Sequence, residues 1–328
     1  MAPSTRREFL QHSALAATGC VAHVLLNASC APWQQQARWT APANPVVTTT
    51  PFARLEAIGP DAWALISTPL GGDRTTFANG GIIAGRNGVL VFEGFYRRAG
   101  AEWLAQQARA LTGRWPTHVA ISHYHVDHAS GVDGYTMPGA APRVHITDTT
   151  RQLALSGAPV APARDAALER AYADVVLVSS VNDTAIDLGN RTEVLRPFSG
   201  HTRSDLTVHD EDAALTWAGD LVWYRMFPNF VDATPTKLAA SARVLADPLR
   251  RARARLVPGH GAHITHGGML DYLGLLDSLE GAARAGHAAG TPAAQVAASY
   301  TVPASLGEWM ASKVSVERAM QAWYKELA

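Results

Sequence analysis

Ile121-Ser122-His123-Tyr124-His125-Val126-Asp127-His128 is the stretch whose reading decides the fold. A short apolar run, Val119-Ala120-Ile121, leads straight into four side chains able to ligate a metal. Imidazole is bulky and polar, and burying several without partners is costly. A divalent metal removes that cost, because it takes imidazole nitrogen and carboxylate oxygen at about 2.0–2.2 Å. On an irregular loop after a strand, His123 and His125 can face one centre. Asp127 and His128 can then turn toward a second. A histidine-rich surface loop is the bland alternative, and the stretches downstream weigh against it.

Those stretches come in order. Gly200-His201-Thr202 follows an expected strand ending near Phe198, with Ser204-Asp205 just behind. Ala218-Gly219-Asp220 follows an expected strand over 214–217, and Pro258-Gly259-His260-Gly261 follows Leu256-Val257. Each sets a ligand-type side chain at a strand's end beside small residues, where glycine lets the backbone turn tightly. Taken singly, each reads as an ordinary turn. Taken with 123–128, they read as one set.

Around these motifs, short apolar runs bounded by turn residues predict strands over 63–67, 80–85, 89–92, 119–121, 144–147, 175–178, 192–195, 206–208 and 214–217. Asn87-Gly88 between the second and third is a hairpin signal. Helical spacing appears over 101–111, 236–255, 269–285 and 304–327. Strands mixed with helices, without regular alternation or an internal repeat, predict one α/β domain with layered sheets.

The series His-x-His-x-Asp-His, Gly-His-Thr, Gly-Asp and Pro-Gly-His-Gly resembles that of the metallo-β-lactamase superfamily, in its order, over about residues 60–265. The resemblance implies an αβ/βα sandwich: two mixed β-sheets face to face, helices on the outer faces, metals at one edge. It implies that His123, His125 and His201 bind one metal. Asp127, His128 and His260 would bind the other, with Asp220 bridging. Asn79 to Ile83 and Val89 to Glu93 match the family's early strands, although Glu93 stands where relatives commonly carry Asp. A histidine-rich set without thiolate suits two Zn2+ ions per chain, with Mn or Fe as alternatives.

Composition is consistent with this. Of 328 residues, 47% are hydrophobic and 17% charged, which fits a globular domain with a sizeable core. Twenty-eight basic residues balance 28 acidic ones, so there is no electrostatic footprint for nucleic acid or an anionic membrane. The partner expected is a small-molecule substrate. Thr5-Arg6-Arg7-Glu8-Phe9-Leu10 and the apolar stretch 13–28 resemble a twin-arginine export signal, so residues 1–30 are expected to be a leader and the protein periplasmic or otherwise exported. Residues 31–52, rich in Pro, Gln, Ala and Thr, read as a flexible tether, and 53–328 as the hydrolase domain. Cys20 and Cys30 both fall before the domain, which therefore has no internal disulfide and no thiolate ligand. Membrane contact is expected only through the leader, or through a lipid on Cys30.

The expected function is zinc-dependent hydrolysis, with a metal-bound hydroxide attacking the carbonyl of a lactam, lactone, ester or thioester and Asp127 orienting the nucleophile. Turnover could be β-lactamase-like. Other readings are a non-catalytic metal-binding or sensor protein of this fold, an iron-dependent oxidoreductase, and a partner in a quinone- or sulfur-oxidation pathway. Aromatic residues of 221–227 are candidates to line the cleft, with packing the favoured reading for Trp223. Tyr124 is expected to point away from the metals and pack. His263 and His266 lie near enough to His260 to support it, and Asp205 could anchor the Gly-His-Thr turn.

Overall fold

Side chains point to opposite faces residue by residue along the central strands, and that alternation builds the layers. In β3 (Ala62–Ser67) and β4 (Gly80–Ala84), Ala62, Ala64, Ile66 and Ile83 join one core cluster, while Leu65 and Ile82 join another. β5 (Val89–Phe92) does the same, with Leu90 and Phe92 on one face and Val89 and Val91 on the other. A sheet apolar on both faces must be covered on both sides.

The computed structural model describes residues 44–68 and 72–328. The expected leader, with Cys20 and Cys30, lies outside the described residues, as does most of the expected tether. An eight-stranded sheet runs in chain order through β1 (Val46–Thr49), β2 (Ala53–Gly59), β3, β4, β5, β6 (His118–Ala120), β7 (Arg143–Thr147) and β8 (Val176–Val178). It is antiparallel as far as β5 and parallel from β5 to β8. The second sheet has the order β13-β12-β11-β10-β9, from β9 (Thr184–Asp187), β10 (Thr192–Phe198), β11 (Asp205–Asp210), β12 (Leu215–Trp217) and β13 (Arg255–Val257). Only its β12–β13 pair is parallel. Both sheets are thus mixed.

Between the sheets lie Ile66, Leu90 and Ala120 from the first and Leu195, Val208 and Trp217 from the second. The outer face of the first sheet is covered by α1 (Arg98–Thr112) through Leu104 and Ala108, by the four-residue α2 (Val126–Ala129), and by α3 (Asp148–Ala154) and α4 (Ala166–Ala171). The outer face of the second is covered by α5 (Pro235–Ala246), α6 (His266–Ala288), α7 (Ala293–Ser299) and α8 (Lys313–Leu327). This is the αβ/βα sandwich expected from the motifs.

Several boundaries differ from expectation. The tether does not reach residue 52, because Val46–Thr49 pairs with β2 as an edge strand. β2 escaped notice because Arg54 and Glu56 interrupt its apolar pattern, yet Glu56 is buried against Arg54 and His263. The helix expected over 236–255 ends at Ala246, since Pro248 cannot donate a helical hydrogen bond and starts a 3-10 turn, Pro248–Arg250. The helix expected over 304–327 begins at Lys313, where Ser312 caps the first turn.

Histidine burial in this fold carries a measurable consequence. His209 on β11 is 3% exposed and bonded to the hydroxyls of Thr207 and Thr216. Burial, and next the charge of Arg196, push its pKa down from 6.5 to about 4. The unfolded chain takes up that proton first as pH falls from 6.5 to 4, so this contribution to stability is present above the window and lost through it. We expect His209→Gln to lose less of its Tm than the wild type when thermal melts are run across that range. Equal losses would contradict the assignment.

Candidate metal centre

Four of the candidate ligands stand just past the carboxyl end of a strand. His123 follows β6, His201 follows β10, Asp220 follows β12 and His260 follows β13. β10, β12 and β13 run in one direction, because β11 is antiparallel to both β10 and β12 while β12 and β13 are parallel. Their ends therefore open on one edge of the sandwich, where α2 presents Asp127 and His128. The amide of Leu206 donates to the carbonyl of Ser122, which ties the two sheets together beside His123.

All seven sequence-predicted ligands meet there. One ligand atom from each of His123, His125, His201 and Asp220 lies within 4.8 Å of the others, and Asp127, His128 and His260 form a second such group. Asp220 spans the two. Its Oδ2 is 3.2 Å from His201 Nε2 and 3.9 Å from His123 Nε2. Its Oδ1 is 3.2 Å from His128 Nε2 and 3.3 Å from His260 Nε2. His125 Nδ1 lies 3.0 Å from His201 Nε2, and His260 Nε2 lies 3.4 Å from Asp127 Oδ2. With bonds of about 2.0–2.1 Å, ligand atoms around a tetrahedral ion sit roughly 3.3 Å apart. The observed spacings fall around that value.

The donor set fits divalent cations on other grounds too. His123 Nε2, His128 Nε2, His260 Nε2 and Asp220 Oδ1 are buried without a hydrogen-bond partner. Each orphan costs about 1–3 kcal/mol unless something satisfies it. Two ions, one held by His123, His125, His201 and Asp220 and the other by Asp127, His128, His260 and Asp220, would satisfy all four. The outward nitrogens of three histidines are taken up by neighbours, which fixes those ring faces. Ser122 Oγ meets His123 Nδ1 at 2.8 Å, Glu93 Oε1 meets His128 Nδ1 at 3.1 Å, and Asp232 Oδ2 meets His125 Nε2 at 2.9 Å.

Charge in this buried cluster is settled internally. Burial disfavours the cations of His123 and His201 and pushes His201 down to about 3, leaving neutral rings suited to ligation. Burial opposes charge on His260 as well, but Asp220 and Asp127 outweigh it and raise His260 to about 9. The charges of His128 and His260 hold Asp127 down at about 2 against its own desolvation. The cluster thus attracts positive charge, whether as protons or as metal.

Local backbone supports this geometry. A Cβ on Gly259 would lie 1.9 Å from Asp220 Oδ1, so only glycine lets the strand-end loop pass that carboxylate. Glu93 holds φ at +81°, unusual for a non-glycine residue. Its amide donates to the Ala120 carbonyl, and its carbonyl accepts from the Tyr135 hydroxyl. Glutamate in place of the family's usual aspartate therefore still reaches His128. Asp205 anchors the Gly-His-Thr turn, accepting from the amides of His201 and Thr202 and from the Thr202 hydroxyl.

Some expectations are corrected. His263 does not support His260; it pairs with Glu56 at 3.3 Å. His266 opens α6. Trp223 does more than pack, because its ring stacks on that of His260 at 3.9 Å and 24°. Tyr124 donates its hydroxyl to Asp232, the carboxylate that holds His125. Asp232 went unnoticed in the sequence: it lies 107 residues from His125, within no ligand-like motif. Phe77, edge-on to His260, was equally invisible.

A sandwich with this cluster at the strand ends is a scaffold that could hold metal ions. The chain belongs to the metallo-beta-lactamase superfamily, whose family model matches residues 74–263. Among solved structures it is similar to the stereoselective inverting sec-alkylsulfatase Pisa1 from a Pseudomonas species, at TM-score 0.66 and 14% identity, covering 83% of this chain and 50% of that one. It thus spans half the length of that relative. It is also similar to a metallo-beta-lactamase from Pontibacter korlensis, at TM-score 0.54 and 17% identity over 69% of this chain and 99% of that one. The FIM-1 metallo-beta-lactamase from Pseudomonas aeruginosa, solved in a mono-zinc form, matches at TM-score 0.53 and 16% identity over 69% and 95% of the two chains. A comparison with curated proteins returned no match. Family and cluster together support a metal-dependent hydrolase.

The support given by Glu93 can be tested directly. Glu93→Gln keeps the side-chain shape but removes the charged acceptor from His128. Metal affinity measured by competition with a chromogenic chelator is expected to fall about 10–100-fold. Unchanged affinity would show that Glu93 is a bystander.

Proposed function

We propose that the protein is a hydrolase that uses two zinc ions per chain to cleave a lactam, lactone, ester or thioester. The observation that carries this is Asp220, whose two oxygens face separate groups of histidines. A bound pair of divalent ions would supply a nucleophilic water near neutral pH and a Lewis acid for the attacked carbonyl. His123, His125 and His201 would hold one ion, and Asp127, His128 and His260 the other.

Asp127 has the exposure a reacting group needs. Its side chain is 15% exposed, against 3% for Asp220. Held at about 2, it is ionised at neutral pH and can only accept hydrogen bonds. It would therefore orient an attacking water by accepting a hydrogen bond from it. Trp223, stacked on His260, limits rotation of that ring.

Loading with zinc should give two ions per chain, and His123→Ala/His125→Ala should lose metal and turnover together. The substrate panel would pair nitrocefin with a lactone, a thioester, an aryl ester and, given the alkylsulfatase neighbour, a secondary alkyl sulfate. Asp127→Asn should cut turnover about 10²–10⁴-fold on whichever substrate is cleaved. Full turnover in the double alanine variant would remove the proposal.

We also propose export by the twin-arginine route, on the strength of Arg6-Arg7 followed by Phe9-Leu10 and an apolar stretch. Such signals are read by a receptor rather than acting as anchors. Arg6→Lys/Arg7→Lys should keep the full chain in the cytoplasm of fractionated cells. Undisturbed export of that variant would contradict the assignment.

A further inference from the structure

A cavity of about 800 Å³ lies between residues 230–234 and the C-terminal helix α8. Leu153, Ala158 and Phe230 give it apolar walls, and Arg203, Arg318 and Lys325 line it with positive charge. Positions 318, 321, 322 and 325 of α8 all line the cavity. They follow the i, i+3, i+4, i+7 pattern of a single helix face. The intervening Ala319, Met320 and Trp323 are buried in the core, which fixes that face toward the cavity. Arg318 and Lys325 are thereby held about 10 Å apart along the helix, on either side of Ala322.

Two acids share the cavity, and both are engaged. Glu326 accepts from the amide and the hydroxyl of Thr236, in the first turn of α5. Asp232 accepts from the Tyr124 hydroxyl and from His125 Nε2. By contrast, no ion pair among the described residues involves Arg203, Arg318 or Lys325. The cavity thus offers free cations beside an apolar surface. It also touches the metal cluster's support, since Tyr124 and Asp232 both line it.

We infer that this cavity binds an amphiphilic oxyanion: a small molecule that carries a carboxylate, sulfonate or sulfate group joined to an apolar body. Guanidinium and ammonium groups bind such oxyanions by charge-assisted hydrogen bonds, and the apolar walls shelter the attached carbon skeleton. Arg203 belongs to the loop that carries His201, so one end of the pocket is built on the same turn as a metal ligand.

Two dyes with one ring system separate the contributions. Anilinonaphthalene sulfonate carries the anion, and phenylnaphthylamine lacks it. Fluorescence titration of the zinc-loaded full chain should show tighter binding of the sulfonate. Arg203→Gln/Arg318→Gln/Lys325→Gln should weaken the sulfonate about tenfold or more and leave the neutral dye unaffected. A charge-keeping variant, Arg203→Lys/Arg318→Lys/Lys325→Arg, should retain most of the sulfonate's affinity and guards against a folding defect. No loss in the glutamine variant, or equal loss for both dyes, overturns the pocket. Metal content is measured on the same samples, so failure of the hydrolase reading appears as missing zinc and stays distinct from failure of the anion pocket.

Discussion

Asp220 is the constraint from which the rest of the molecule follows. One buried carboxylate faces His201 and His123 with one oxygen and His128 and His260 with the other. Such a group is costly to bury unless several donors or cations surround it. The fold meets that need by ending four strands at one edge and setting α2 across it. Gly259 has no side chain because any Cβ would strike the Asp220 carboxylate. Both the arrangement of the sheets and the glycine beside β13 are consequences of placing this side chain.

Around the ligands lies a ring of residues that aim them. Ser122, Glu93 and Asp232 each take the outward nitrogen of one histidine, and Trp223 lies flat against a fourth ring. These contacts fix the face that each imidazole turns inward. Rotating any of these four rings would break a hydrogen bond or a stacked contact, so their ligating faces are held ready. The exposed side of the cluster is the Asp127 side.

The ligands were legible in the sequence because each sits in a short local pattern: a strand, then small residues, then a donor. The central strands were legible because β3, β4 and β5 are short apolar runs bounded by turn residues. Asp232 left no such trace. It comes from an irregular segment and meets His125 only through the tertiary fold. β2 was hidden because its Glu56 is buried as an ion pair, which breaks the polar-outside rule on which sequence reading relies. The basic face of α8 is visible as helical spacing, but its meaning depends on the cavity opposite, which only the folded chain reveals.

The proposed hydrolase needs two cations sharing Asp220. Anomalous diffraction at the zinc edge from crystals of the zinc-loaded protein measures this most directly. Two strong peaks are predicted, one among His123, His125 and His201, the other among Asp127, His128 and His260, with Asp220 reaching both. A single peak, or density for metal elsewhere in the molecule, would contradict it.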